Sequence, residues 1–370
     1  MIRRSGILHA DEAVNRFLAF SRWIGLLAVA AVAGGLATEA ALRGVRWVDL
    51  FWQSMVPLVP LTLLVAPHLW RRVCPLAVLN LAAARVGRGS REIGPPRMPG
   101  KANIWIKRYG VMVAAGLLWL LVPMRILLFN QSARATLVLI VAITFAAVAL
   151  GIAGPWKAAW CCSVCPVYPV EKLYGTAPVW SLTDTRCVPA VSAQSCYRCA
   201  LHCIDVPESE SHYWNAMEKA GSKRLAEVAR RFFLGSFPGF VLAYWTLSST
   251  NGFERPFMIA PILAVYATFL LFMLASYGCY VVAHLVCAGS EGGKPLSLGK
   301  RRVDLVVTAL ALNLYYAAGS ARLSTVLSQL GGWGTGQSMI RAGILGFVFV
   351  VSLLWLHRAW RSNAPSWARW

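Results

Sequence analysis

Apolar residues occur along this chain in long stretches, separated by polar, basic or Gly/Pro-rich segments. A helix needs about 20 mostly apolar residues to cross a bilayer. Eight stretches meet or approach that length: 23–42, 50–69, 110–129, 135–154, 232–249, 257–287, 303–319 and 339–357. The sixth is long enough to tilt or to extend past the hydrocarbon, and the seventh is short and interrupted by Asp304 and Asn313. The segment before Trp23 is polar, and no small-residue cleavage site follows the first apolar run, so no cleaved signal peptide is expected. The pattern predicts an all-α polytopic membrane protein with about eight transmembrane helices.

Composition narrows the class further. Of 370 residues, 58% are hydrophobic and 14% charged, where a soluble domain has about 25% charged. That excludes an ordinary soluble domain, a disordered chain and a small disulfide scaffold. The formal charge is +21. In a soluble protein such basicity would suggest nucleic acid. Here it follows the bias that orients membrane helices, and no nucleic-acid partner is expected. With eight spans, 29 of the 36 Lys and Arg fall in segments 1–22, 70–109, 155–231, 288–302 and 358–370, all on one side. That side is read as the cytoplasm, with both termini inside a bacterial cytoplasmic (inner) membrane. Four parts follow: a four-helix membrane half over 1–154, a cytoplasmic Cys-rich segment over 155–211, a basic interfacial helix over 212–231, and a second four-helix half over 232–370. Residues 87–101 read as a flexible loop.

The cysteines carry the chemistry. Cys74, Cys161, Cys162, Cys165, Cys187, Cys196, Cys199 and Cys203 lie in the two large inner loops, and Cys279 and Cys287 near the inner end of the sixth span. Thiols clustered on a reducing side hold metal more often than they form disulfides. One cluster is Cys161-Cys162-Ser-Val-Cys165-Pro166, and the other is Cys187 followed by Cys196-x2-Cys199-x3-Cys203. Four thiolates from short loops suit an iron–sulfur cluster. A four-thiolate zinc site is the rival, since C-x2-C supplies half of one. A third reading, one helical stripe through Cys196, Cys199 and Cys203, fits poorly beside Tyr197, Arg198 and His202. The sequence also echoes itself: Val73-Cys74-Pro75-Leu76 and Val164-Cys165-Pro166-Val167 stand 91 positions apart, and both close helical hairpins on the same side.

Other polar groups suggest less. His68, His284 and His357 fall near the inner face. His68 and His284 are the pair that would ligate a haem iron, although histidines at span ends more often sit among headgroups and haem is not expected. Glu39, Arg43, Arg46, Asp49 and Arg125 gather at the outer ends of the first three spans, where snorkelling is the expected role. A quinone site there is only suggested. No nucleophile elbow, Walker loop, zinc-protease helix or dinucleotide glycine run is present.

These residues resemble the membrane ferredoxin-type family that includes NapH, MauN, the C-terminal part of NosR, and CcoG. The match lies in Trp160-Cys161-Cys162-Ser163-Val164-Cys165-Pro166-Val167-Tyr168, then Glu171-Lys172-Leu173-Tyr174-Gly175, and a run from Cys196 to Glu208 resembling C-x2-C-x2-C-V-D-V-C-P-E. It covers roughly residues 20–210. Two departures stand out: Trp70 replaces the first cysteine of the first C-x3-C-P, and the ferredoxin run has one inserted residue and lacks its last cysteine.

The resemblance implies Cys161 and Cys165 as ligands, Cys162 standing at the family's glycine position, together with Cys74, Cys187, Cys196, Cys199 and Cys203. It implies one [4Fe–4S] cluster and, beside it, a second. Two all-cysteine clusters would call for eight thiolates, and seven remain once Cys162 is set aside, so one ligand would be another residue or one cluster would be absent. The function implied is electron relay between the quinone pool, or a cytoplasmic donor, and a partner redox protein, in contact with membrane lipid. Two alternatives are a maturation factor that reduces or delivers a metal, and a zinc-stabilised transporter or sensor.

Overall fold

Long apolar runs become long helices in the computed structural model, which describes residues 20, 23–39, 41–42, 44–88, 100–154, 159–161, 163–175, 179, 223–249, 259–289, 297–333 and 336–361. The first helix, α1 (Trp23–Thr38), ends where Glu39 takes a positive φ of 52°, a left-handed conformation common just past helix ends. A two-stranded antiparallel hairpin follows, β1 (Ala41–Leu42) with β2 (Val45–Arg46), pairing Ala41 with Arg46 and Leu42 with Val45. Gly44 turns it with φ +81°, a conformation that glycine takes at no steric cost.

Helix α2 (Trp47–Val65) contains a π turn over Phe51–Met55. Prolines then punctuate the chain. A residue before proline is pushed out of helical geometry, and both Ala66 (φ −149°, ψ 74°) and Cys74 (φ −57°, ψ 115°) sit at such breaks. They flank α3 (Pro67–Val73), and α4 (Pro75–Arg88) begins immediately after. Next come α5 (Gly100–Met124), extended by a second π turn over Arg125–Phe129, and α6 (Ala133–Ala153). Short α7 (Tyr168–Tyr174) follows the second Cys-Pro. The second half is α8 (Lys223–Ser249), α9 (Ile259–Gly289), α10 (Ser297–Gly331) and α11 (Gln337–Arg361).

Among the described residues, six helices are long and apolar enough to cross a membrane: Trp47–Val65, Tyr109–Phe129, Ala133–Ala153, Ala260–Cys287, Arg302–Gly331 and Gln337–Arg361. They fall on six of the eight expected stretches. The other two differ. The stretch 23–42 is helical only as the shorter α1. The stretch 232–249 runs without a break from a basic first part containing Arg230 and Arg231, all within α8. The seventh stretch is a 35-residue helix rather than a short one. Its polar interruptions are matched from neighbouring helices: Asn313 Nδ2 donates to Ser352 Oγ at 2.9 Å, and Asp304 joins the network described below.

Close packing holds the helices together. Asn80 Nδ2 of α4 donates to the Ala147 carbonyl of α6 at 2.7 Å. A Cβ built on Gly239 of α8 would lie 2.0 Å from the Phe272 carbonyl of α9, so only glycine permits that approach. The two halves share one core, in which Leu63 and Leu64 pack with Tyr174, Phe233, Tyr316 and Trp355. Hydrogen bonds tie them as well: the Tyr316 hydroxyl donates to the Pro57 carbonyl, and that of Tyr266 donates to Leu120 at 2.9 Å.

Candidate functional site

The two Cys-Pro turns have the same local structure. Cys74 precedes the first turn of α4, and the backbone N–H groups of Leu76 and Ala77 point at its sulfur. Cys165 stands before α7, and the N–H groups of Val167 and Tyr168 point at its sulfur in the same way. In both cases the donors are the second and third residues after the cysteine, because proline removes the first N–H and fixes the start of the following turn. Burial pushes both thiols up from 9.0, Cys74 to about 11 and Cys165 to about 12. The N–H donors pull each back down, and Cys74 itself raises Cys165. The Glu171 carboxylate of α7 raises both. The turn before Cys165 is closed by its N–H donating to Trp160 at 3.1 Å and by the Ser163 hydroxyl donating to Ala159.

Cys74, Cys161 and Cys165 line one cavity of about 610 Å3, within the range of small-molecule pockets. Trp160 lines it too, and its buried Nε1 has no hydrogen-bond acceptor among the described residues. Away from the thiols the walls are apolar side chains of α1, α2, α5, α6 and α8 up to Arg125.

Arg125 departs from the snorkelling expectation, being only 7% exposed. Its position follows from the two π turns. In the first, the Val56 N–H donates to the Phe51 carbonyl, so the donor to Trp52 in the same register would be Pro57, which has no N–H. Arg125 Nη2 donates to the Trp52 carbonyl instead, at 2.8 Å. The guanidinium carbon lies 4.3 Å from the Trp52 ring centroid and 5.0 Å from that of Tyr244. Trp52 is held in turn by its Nε1 donating to Thr136 Oγ1 at 3.0 Å. Arg46 pairs with Asp49 at 2.7 Å and Arg134 with Glu39 at 3.0 Å. Arg125 has no carboxylate within ion-pair distance among the described residues.

A second polar group is built around Asp304. Its Oδ1 accepts from the Tyr280 hydroxyl at 2.7 Å and lies 2.8 Å from His284 Nε2. Its Oδ2 accepts from Arg230 Nη1 at 3.2 Å. His284, considered as a haem ligand, is thus engaged with a carboxylate. His68 is in α3, and its side chain lies outside the described residues. Cys187, Cys196, Cys199 and Cys203 also lie outside them, as does Cys162.

Among the described residues, no three His, Cys, Asp or Glu side chains are grouped closely enough to hold a metal ion. A centre at the Cys-Pro turns would therefore need thiolates from the later Cys-rich segment as well. Thiolates are the donor type such a centre takes. Cys74, Cys161 and Cys165 supply that type, Cys74 and Cys165 each with paired N–H donors, and Trp160, whose Nε1 has no acceptor among the described residues, lines the same cavity.

No protein-family model, curated protein or solved structure matches this chain.

Sequence reasoning grouped Arg125 with four other charges at the outer ends of the spans and missed its burial, the Trp160 Nε1 and the Asp304 network. An arginine inside the apolar run 110–129 was a usable signal. The partners of Asp304 were not, because Arg230 stands 74 residues away.

Proposed function

We propose that this protein is a membrane electron-transfer protein whose Cys-Pro turns hold a [4Fe–4S] cluster. Cys74, Cys161 and Cys165 would serve as ligands with Cys187, Cys196, Cys199 and Cys203, and a second cluster would draw on the same set. Electrons pass between the quinone pool, or a cytoplasmic donor, and a partner redox protein. In this reading all eight apolar stretches span a bacterial inner membrane, and the turns and both termini face the cytoplasm. The cluster supplies one-electron redox chemistry.

The observation that carries the proposal is the repeated turn. Two segments 91 residues apart each present a half-buried cysteine, with N–H donors at the same two offsets, to one cavity. Backbone N–H groups at sulfur stabilise negative charge there and tune cluster potential. Trp160 Nε1 is a further donor, without an acceptor among the described residues. Burial disfavours free thiolates at Cys74 and Cys165, which a bound metal would compensate by taking the place of the protons. Trp355 and Thr308 fix α7 behind the second turn: Trp355 Nε1 donates to the Tyr174 carbonyl at 3.0 Å, and the Tyr174 hydroxyl donates to Thr308 at 3.2 Å.

The test is anaerobic purification, iron, sulfide and zinc analysis, and low-temperature EPR after dithionite reduction. Cys165→Ser and Cys199→Ser should lose cluster signal while Cys279→Ser keeps it. An iron-free, zinc-loaded, EPR-silent protein, or equal signals in the three variants, would refute the reading.

A further inference from the structure

Among the described residues, Arg125 and Glu171 are the two charged ones that line the cavity, and they stand far apart. Glu171 lies among the thiols, raising both Cys74 and Cys165. A Cβ on Gly110 of α5 would touch Ser163, two residues before Cys165, at 3.0 Å. Arg125 comes 15 residues after Gly110 on the same helix, which at helical rise is about 22 Å. Among the described residues, the cavity therefore has a thiol-bearing end with the Glu171 carboxylate and a cationic end at Arg125, joined by largely apolar walls.

The cationic end has hydrogen-bonding capacity to spare. A guanidinium carries five N–H donors. The described partners of Arg125 are the Trp52 carbonyl at 2.8 Å, Asn130 Oδ1 at a long 3.4 Å and the Tyr315 hydroxyl, which leaves donors unused. Leu58 lines the cavity and is 48% exposed, so the wall there reaches the outer surface of the helices.

We infer that the cavity takes up an amphiphile from the lipid phase, its carbonyl or carboxylate oxygen on Arg125 and its apolar body along the walls toward the cysteines. A large zwitterionic head does not suit walls of this kind; a head with one or two acceptor oxygens does. Two sources share that chemistry, an isoprenoid quinone and a fatty acid. Cluster binding at the Cys-Pro turns is not required, so this inference and the redox reading stand or fall separately.

The full chain, delipidated in detergent, is titrated with decylubiquinone, with dibromostearate and with a headless bromoalkane, each read by quenching of tryptophan fluorescence. At least one headed probe should bind more tightly than the bromoalkane. Arg125→Leu should weaken that probe about ten- to a hundredfold, the range for a hydrogen bond to a charged group, and leave the bromoalkane and the iron content unchanged. Preference for decylubiquinone identifies a quinone site, and preference for dibromostearate a fatty-acid site; either supports the inference. Leu121→Trp, which fills the cavity wall, should weaken all three probes, and keeps the test decisive where Arg125→Leu does not fold. Headed and headless probes binding wild type equally, headed probes indifferent to Arg125→Leu, or probes indifferent to Leu121→Trp would overturn it.

Discussion

Replacing Asp304 with leucine tests how the second half of the molecule is held. The carboxylate joins three helices: it accepts from Arg230 of α8 at 3.2 Å and from Tyr280 of α9 at 2.7 Å, and His284 of α9 lies 2.8 Å away. Both members of the ion pair are buried, with side-chain exposures of 5% for Arg230 and 9% for Asp304. Breaking a buried pair by removing one partner costs about 3–5 kcal/mol, because the remaining charge loses that partner in a site shielded from water. At about 1.4 kcal/mol per decade, that lowers the folding constant at least a hundredfold. Removing both charges with apolar residues of similar volume is often close to neutral. Asp304→Leu should therefore destabilise strongly, and Arg230→Met with Asp304→Leu should cost less than Asp304→Leu alone. SDS-induced unfolding in mixed micelles, followed by tryptophan fluorescence, measures all four corners of the cycle. A single variant within about 0.5 kcal/mol of wild type, or a double variant costing the sum of the singles, would refute the reasoning.

Gly239→Val should destabilise by about 1–3 kcal/mol or more, since its Cβ would fall 2.0 Å from the Phe272 carbonyl, whereas Gly278→Ala, with open space around it, should be close to neutral in the same unfolding assay. In metal-stripped protein, Cys74 and Cys165 should be alkylated at pH 8 at least about tenfold more slowly in the folded chain than in the SDS-unfolded one, because burial keeps their thiolates scarce; peptide mass spectrometry reads each site. The same shift sets a pH dependence. Unfolded thiols ionise near 9.0 while folded ones hold their protons to about 11 and 12, so the metal-free fold should lose stability as pH rises through that window, and unfolding curves at stepped pH check the sign. Trp355→Phe should cost about 1–3 kcal/mol by leaving the Tyr174 carbonyl without its donor.

Six of the helices and the kinship of the two Cys-Pro turns were legible in the sequence, because each is written in adjacent residues. A run of apolar side chains announces a spanning helix, and cysteine before proline announces a break in one. What the sequence hid is long-range pairing. Asp304 reads as a flaw in a hydrophobic run until Arg230 and Tyr280 are set beside it. Arg125 reads as one of five interfacial charges until Pro57 leaves the Trp52 carbonyl free to receive it. The stretch 23–42 is cut short by Glu39 and a β-hairpin, a local turn that hydropathy does not register. The later cysteines fall outside the described residues.

The contact between α7 and the last two helices gives the second half of the chain a task. Tyr174 is gripped by Trp355 at its carbonyl and by Thr308 at its hydroxyl, so the segment carrying Cys165 leans on a backstop supplied from more than 130 residues downstream. A version of this protein cut after the Cys-rich segment would keep the eight cysteines of the two loops and lose that backstop. The membrane half without cysteine clusters is thus the frame that keeps the other half in shape, and the two cannot be exchanged as independent modules.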